Sequence, residues 1–389
     1  MTACIVGWAH SKFGKRADAD IEALIAEAAR GALDDAGVAP ADIDAVFVGH
    51  FNGGFVRQDF PASLALGIHP ALRFKPATRV ENACATGSAA IAQGMAGIAA
   101  RAARLVLVVG VEKMTELSGP EIGEVLTKAS YVKEEAAAFP SFAHIFGHIA
   151  ERYFQRHGDQ SEALAHIAAK NHANGARNPY AHFRKDLGLD FCRTVSDANP
   201  LVAGPLRRTD CAPVTDGAAA VVLADVETAL AMPKAVAFRA MQQVNDFLPL
   251  GRRDPTRFEG AAHAWSRAFA QARLTLDDLD LVEVHDCFTI AELMIYEAMG
   301  LAAEGRGAVA ALEGWTRADG RLPVNPSGGL KAKGHAIGAT GVSMHVMAAM
   351  QVTGRAGDMQ VPGARLAGVF NMGGTAVANY ASILEPLRF

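Results

Sequence analysis

Cysteine is scarce and never paired: the chain has five in 389 residues, an odd number, with no CxxC spacing. That excludes a disulfide framework and reads as reduced thiols in a reducing compartment. Positive charge is not in excess either. A formal net charge of −4 leaves no basic face of the kind nucleic acid requires, so no nucleic-acid partner is expected. No apolar run is long and pure enough to cross a membrane. Met1-Thr2-Ala3-Cys4-Ile5-Val6-Gly7 enters a strand pattern directly, without the cationic and apolar segments of a signal peptide. The C-terminal Leu387-Arg388-Phe389 is not a peroxisomal address. Gly338-Ala339-Thr340-Gly341 lacks the glycine-plus-lysine spacing of a P-loop, and no dinucleotide fingerprint follows the first strand. A cytoplasmic location is the expectation that remains. Half of the residues are hydrophobic and a fifth charged, enough to bury a large core.

What is present centres on Cys84, within Glu81-Asn82-Ala83-Cys84-Ala85-Thr86-Gly87-Ser88-Ala89-Ala90. The small residues predict a tightly packed helix from Ala83 to Met95, with Asn82 as its cap. A helix N-terminus stabilises negative charge, so the thiol is expected to ionise more easily than a free one. Taken alone, the position suits a small buried hydrophobe, the commoner fate of a free Cys. Two other segments change that balance. His285-Asp286-Cys287-Phe288 follows the apolar alternation Leu281-Val282-Glu283-Val284, and Asn325-Pro326-Ser327-Gly328-Gly329-Leu330-Lys331-Ala332-Lys333-Gly334-His335 leads into Ala336-Ile337-Gly338. Each places an imidazole at a strand end or in a Gly-rich loop before a helix. A cysteine nucleophile needs a base within reach and donors aimed at a developing oxyanion, and these segments supply both kinds of group. His144 and His148 sit four apart without a third ligand nearby, so no metal site is expected. Arg184-Lys185 and Arg207-Arg208 read as paired surface cations that solvent satisfies.

The length suggests two domains or an internal duplication. Ala32 to Val48 and Ala268 to Val284 align without a gap at a constant offset (268 − 32 = 236; 284 − 48 = 236), each a helix end, an Asp-bearing turn and a short alternating strand. Ala103 to Val109 likewise echoes Ala364 to Phe370. Small-residue helices alternating with branched apolar strands indicate an α/β protein with mixed sheets covered on both faces. The reading is two similar halves, residues 1–230 and 231–389, with helices sandwiched between their sheets. Residues from about 115 to 213 have no counterpart in the second half.

The three segments, in this order, resemble the thiolase superfamily, and within it the thiolases related to sterol carrier protein-2. The resemblance runs from near Ile5 to the C-terminus and includes Gly110-Val111-Glu112-Lys113-Met114-Thr115, Lys170-Asn171-His172, Asn178-Pro179 and Asp210-Cys211-Ala212-Pro213. It implies a duplicated, five-layered α-β-α-β-α fold in which the 115–213 insertion is a loop domain covering the pantetheine of acyl-CoA. It implies reversible Claisen condensation and thiolysis of acyl-CoA thioesters (acetyl-CoA or 3-ketoacyl-CoA), with CoA and acyl-CoA as substrates and no tightly bound cofactor. Cys84 is then the nucleophile. His335 activates it and helps hold the thioester oxygen of the incoming enolate. His285 stands where other thiolases use Asn to fix a water, the amides of Cys84 and Gly373 form a second anion site, and Phe288 packs on pantetheine. A homodimer or homotetramer is implied.

The departures are as informative as the match. A second catalytic Cys is usual in a Cys-x-Gly segment near the C-terminus, but here the stretch is Phe370-Asn371-Met372-Gly373-Gly374. Cys287 is the acid/base expected to replace it. The usual Pro after the catalytic His is Ala336. Two rival readings stand: a thiolase-like aldolase or synthase working with a small OB-fold partner, and a noncatalytic acyl-CoA or lipid-binding protein. Relatives of the first kind often lack the nucleophilic Cys, which Cys84 supplies. The sequence ends at the thiolase fold, with no fused sterol-carrier domain expected.

Overall fold

The computed structural model describes residues 3–387; Met1, Thr2, Arg388 and Phe389, which belong to the terminal segments read above for targeting signals, lie outside the described residues. Eleven strands are present among the described residues: β1 Ala3–His10, β2 Ala45–Gly49, β3 Ala77–Val80, β4 Leu105–Glu112, β5 Leu201–Ala203, β6 Leu206–Arg207, β7 Gly217–Asp225, β8 Val236–Asn245, β9 Leu281–Val284, β10 Ala367–Gly373 and β11 Ala378–Pro386. Nine of them lie in the order β3-β2-β4-β7-β1-β8-β11-β10-β9. β1 and β8 meet only at Cys4–Ala237 and Ile5–Val236, so the sheet is two sheets joined at a short seam.

The two sides repeat one plan. β2 runs parallel to β4 and β9 parallel to β10, while β7 and β11 run antiparallel to the strands beside them. β1, β2, β4 and β7 thus correspond to β8, β9, β10 and β11; β3 is extra. The sequence offset survives into the structure, since the short 3₁₀ turns at Pro40–Asp42 and Leu276–Asp278 differ by 236 (276 − 40), as do the starts of β2 and β9 (281 − 45). Asp44 accepts hydrogen bonds from the Arg104 and Leu105 N–H groups, and Asp280 accepts them from Arg365 and Leu366. One carboxylate in each half therefore clamps the start of the neighbouring buried strand.

Layering follows from which faces are apolar. Helix Ile21–Ala36 buries Leu24, Ile25, Ala28, Ala29 and Ala32 against β1, β4 and β7; Asp20 caps its start and Gly37, at φ 65°, ends it. Helix Glu259–Ala272 covers β8 and β11 on the opposite outside. Helices Thr86–Ala99 and Ile337–Val352 form the middle layer. The first lies on β2 and β4, and the second touches β4 and β7 of one half and β10 and β11 of the other. The result is the five-layered α-β-α-β-α arrangement, with the middle helices buried on most faces.

The two middle helices cross at glycine. A Cβ on Gly87 would lie 2.6 Å from Val342 N and 2.8 Å from Gly341 N, and one on Gly341 would lie 2.2 Å from Ser88 N. Only hydrogen fits there, so this contact fixes the start of one helix against the start of the other. Between β4 and β7 the chain inserts helices Gly119–Thr127, Phe142–His157 and Ser161–Ala176, two short helices and the β5-β6 hairpin. Ser161–Ala176 packs on Thr289–Ala298 and Gly329–Lys333, just behind the His285 and His335 segments. Arg207, expected to be solvated, is buried and ion-paired to Asp210 at 2.9 Å, and Thr289 also donates to Asp210. It braces the insertion. Among the described residues no helix is long and apolar enough to cross a membrane.

Candidate active site

Cys84 lies in a turn before the helix. Ala83 has φ 49°, a left-handed conformation that cannot continue a helix of L-residues, and Thr86 N–H donates to Ala83 C=O. The helix expected over 83–95 therefore runs Thr86–Ala99. Asn82 does not cap it: its amide donates to Tyr380 Oη at 2.9 Å, and its backbone N–H to Thr86 Oγ1 at 2.8 Å. The turn aims the thiol at the second half of the molecule. Gly373 lies against it, where a Cβ would meet Asn82 O at 2.5 Å.

One nitrogen each of His285 and His335 lies with Cys84 Sγ in a cluster whose members are all within 4.8 Å of one another. The two imidazoles meet edge to face, 5.1 Å between centroids. Residues 84, 285 and 335 are thus brought together, and Cys287 is near enough for its ionisation to respond to Cys84. Phe288 stacks on Phe146 of the inserted helix at 4.4 Å. A surface cleft of about 780 Å³ between helix Ser161–Ala176 and the 311–321 loop is lined by none of these side chains.

Burial decides the charge states. The Cys84 thiol, expected to be acidic, is instead pushed up to about 12 by desolvation, with Glu112 and Glu81 adding to the shift; the N–H groups of Gly374 and of Cys84 itself act in the opposite direction. The helix dipole at a neighbouring terminus does not offset the loss of water. Burial, with Lys333 nearby, holds His335 down to about 3, and burial with His335 nearby holds His285 well below its ordinary value. Desolvation raises Cys287 well above a free thiol, with Cys84 and Asp286 adding to it. The resting cluster is neutral: two thiols and two uncharged imidazoles.

Hydrogen bonds fix which nitrogen of each ring carries its hydrogen. Thr340 Oγ1–H donates to the Ala336 carbonyl at 2.9 Å, so this oxygen accepts from His335 Nδ1–H at 2.7 Å. His335 Nε2 is left as a bare lone pair, the form a general base requires. His285 is held from the other side by Asn371, whose Nδ2 is 2.9 Å from its Nδ1. A cysteine sulfur and two imidazole nitrogens so close form a set that a zinc-type cation can use, but a protonated imidazole nitrogen is no ligand, so the ring tautomers decide whether such an ion fits.

The loops are bolted together by buried polar groups. Asp286 accepts from Leu330 N–H at 2.6 Å, Lys331 N–H at 3.1 Å and Asn171 Nδ2 at 2.8 Å, tying the His285 strand end to the loop that carries His335. Its carboxyl is raised by burial and by Glu292. Glu292 in turn takes Lys170 Nζ at 2.6 Å, Asn171 at 2.6 Å and Asn325 at 3.0 Å. Glu112, at the end of β4, accepts from Phe51, Asn52 and Gly338 N–H, holding the N-terminus of the second middle helix. The sequence reading missed the roles of Glu112, Asp286, Asn325, Thr340 and Asn371. The available signal is that Asn325, Thr340 and Asn371 are single polar residues between apolar or small neighbours, and that Glu112 and Asp286 are carboxylates at the ends of apolar strand patterns.

Comparison with known proteins agrees with this architecture at both ends of the chain. Residues 3–227 match the thiolase N-terminal domain and residues 245–386 the thiolase C-terminal domain-like family. An acetyl-CoA acetyltransferase of Methanothermobacter thermautotrophicus is 38% identical over 95% of this chain and 96% of its own length. Sterol carrier protein 2 of Homo sapiens is 33% identical, over 95% of this chain and 69% of its own length. Among solved structures, the Ltp2-ChsH2(DUF35) aldolase superposes with a TM-score of 0.84 over 100% of this chain and 98% of that one, at 20% identity, which is a likeness of fold. With both domain families matched in sequence and the duplicated five-layer fold present, the chain belongs to the thiolase superfamily.

Proposed function

We propose that the protein is a thiolase-type acyltransferase that makes or cleaves a carbon–carbon bond between acyl-CoA thioesters through an acyl group carried on Cys84. The observation that carries this reading is the cluster itself: a buried thiol within 4.8 Å of two neutral imidazole nitrogens, one of them on a ring whose Nε2 is bare. As Cys84 sulfur bonds to the substrate carbonyl carbon, its proton passes to His335 Nε2. The imidazolium so formed is a donor, and it keeps this proton while the acyl group rests on Cys84. In cleavage of a 3-ketoacyl-CoA the leaving group is the acetyl-CoA enolate, whose carbon takes a proton; Cys287, protonated at rest, supplies it. CoA thiol then gives its proton to the Cys287 thiolate and attacks the acyl–Cys84 thioester; the acyl group leaves as acyl-CoA, and the His335 imidazolium returns its proton to Cys84. The reverse order of steps condenses two thioesters. Amide groups around the Cys84 turn and the imidazoles stabilise the oxyanions, and removal of one such donor costs about 100- to 1000-fold in rate.

No step calls for a bound cofactor. Phe288 and Phe146 form an aromatic wall beside Cys287 on which a pantetheine arm can lie. The test is the complete reaction with acetyl-CoA and with 3-ketoacyl-CoAs of increasing length. Wild type is expected to exchange acyl groups with CoA, and Cys84→Ala to lose both condensation and thiolysis while keeping its fold. Carbon–carbon cleavage that persists in Cys84→Ala would point to the aldolase reading, in which no acyl-enzyme forms and an OB-fold partner takes part.

A further inference from the structure

We infer that Asn371 is a positioning residue that locks His285 in the tautomer carrying hydrogen on Nε2, so that one imidazole of the pair is a permanent donor while the other is the base. Asn371 is fully buried on β10, facing the start of helix Thr86–Ala99. Its amide has three partners. Ser88 Oγ–H donates to Oδ1 at 2.8 Å, Nδ2–H donates to the Cys84 carbonyl at 3.1 Å, and Nδ2 lies 2.9 Å from His285 Nδ1.

The orientation of this amide is forced. A backbone carbonyl has no hydrogen to give, so the Asn371 atom facing Cys84 C=O must be the nitrogen. Turning the amide over would set two acceptor oxygens against each other. With one N–H spent on Cys84, the second points at His285 Nδ1. Two N–H groups cannot face one another at that distance, so Nδ1 holds a lone pair. The ring is neutral because burial holds its basicity down. Its single hydrogen is therefore on Nε2.

That Nε2 is buried and has no hydrogen-bond partner among the described residues. A buried N–H left unpaired is destabilising, a cost that a protein tolerates where a ligand atom completes the bond. An acceptor oxygen entering beside Cys84, as a thioester carbonyl or enolate does, completes it. His335 is arranged the opposite way, its Nδ1–H given to Thr340 and its Nε2 bare. The two rings differ in tautomer because one faces the amide nitrogen of Asn371 and the other a hydroxyl oxygen already committed as donor. The side chain standing where a second cysteine was expected thus carries no proton in the reaction. It determines which imidazole can.

The part of this inference that concerns rate rests on the acyl-transfer reading; the part that concerns the tautomer does not. The test is ¹⁵N NMR of the full-length protein labelled at histidine, with His285→Gln used to assign the ring. Wild type is expected to show hydrogen on Nε2 of His285 and on Nδ1 of His335. In Asn371→Asp the carboxylate accepts instead of donating, so the His285 hydrogen is expected to move to Nδ1. Acylation of Cys84 by acetyl-CoA is expected to fall about 100-fold or more, mostly in kcat rather than KM. Asn371→Leu, which keeps the volume and removes every hydrogen bond, is expected to leave His285 without a fixed tautomer and to slow acylation similarly, with the His335 signals unchanged. Hydrogen on Nδ1 of wild-type His285 overturns the inference, as does acylation at the wild-type rate in either Asn371→Asp or Asn371→Leu. If wild type forms no acyl-enzyme at all, the functional reading fails, and the NMR spectrum alone still decides the tautomer.

Discussion

The crossing of the two middle helices gives a sharp test of how the site is held. Gly341→Ala adds one methyl group in a helix interior, where alanine is intrinsically better than glycine by about 1 kcal/mol. The structure opposes that gain. The new Cβ falls 2.2 Å from Ser88 N, 2.4 Å from Asn371 Oδ1 and 2.6 Å from Ser88 Oγ. Ordinary contact begins about an ångström farther out, and the obstructing atoms include backbone, which yields only if the whole helix moves. Overpacking of this kind costs about 1–3 kcal/mol, so the net loss of stability is about 2 kcal/mol or less. In a chain of this size that is a Tm change of only a few degrees. The rate is the more sensitive reporter, because the displaced helix starts carry Cys84 and His335, and a misplacement of about 1 Å costs on the order of 100-fold. Gly97→Ala is the control, since a Cβ there meets nothing within 4 Å in the same helix as Ser88. Urea titration and single-turnover acylation of both variants are the assays. Gly97→Ala is expected to match or exceed wild type in stability and to keep its rate, while Gly341→Ala loses a little stability and most of its rate. Full activity in Gly341→Ala would refute the view that this glycine contact sets the catalytic geometry.

Two further outcomes follow from the charge states. Cys287→Ala is expected to be acylated normally at Cys84 by acetyl-CoA yet to fail in forming or cleaving the carbon–carbon bond; a complete reaction near the wild-type rate would hand the proton to water or to His285. Buried histidines also make the fold acid-sensitive. His10, His172 and His335 are held down to about 3 and His345 to about 4 by desolvation, against an ordinary value of 6.5. The unfolded chain takes up these protons first, so the stability they contribute is complete above pH 6.5 and is lost as pH falls from there towards 3, by up to about 1.4 kcal/mol per pH unit for each ring. Unfolding free energy measured by urea at pH 7 and pH 5 should differ by several kcal/mol, and equal values would contradict the neutral buried assignment.

Much of the fold could be read from the chain because both halves spell the same unit. A helix, an Asp-bearing turn and a short apolar strand recur at a fixed offset, and Asp44 and Asp280 make equivalent hydrogen bonds in the two copies. The candidate-site segments were legible because Cys84, His285 and His335 sit at element ends, where backbone turns bring side chains of different elements together. What the sequence hid depends on tertiary surroundings. Whether a thiol is acidic turns on how much water surrounds it, and the burial that raises Cys84 comes from residues far along the chain. The left-handed Ala83 has no local signature, so the helix begins three residues later than the small-residue pattern predicts, and the Asn82 amide donates to Tyr380 instead of capping it. Asn371 was visible only as a missing cysteine. Its function lies in partners at 84, 88 and 285, which no local pattern connects.

The central claim is that Cys84 carries the acyl group. Intact-mass spectrometry after brief mixing with acetyl-CoA, followed by peptide mapping, measures it most directly. The account predicts one added acetyl group per chain, located on the peptide containing Cys84, absent from Cys84→Ala and removed by free CoA. An unmodified wild-type chain, or an acetyl group found on Cys287 while Cys84 stays free, would contradict it.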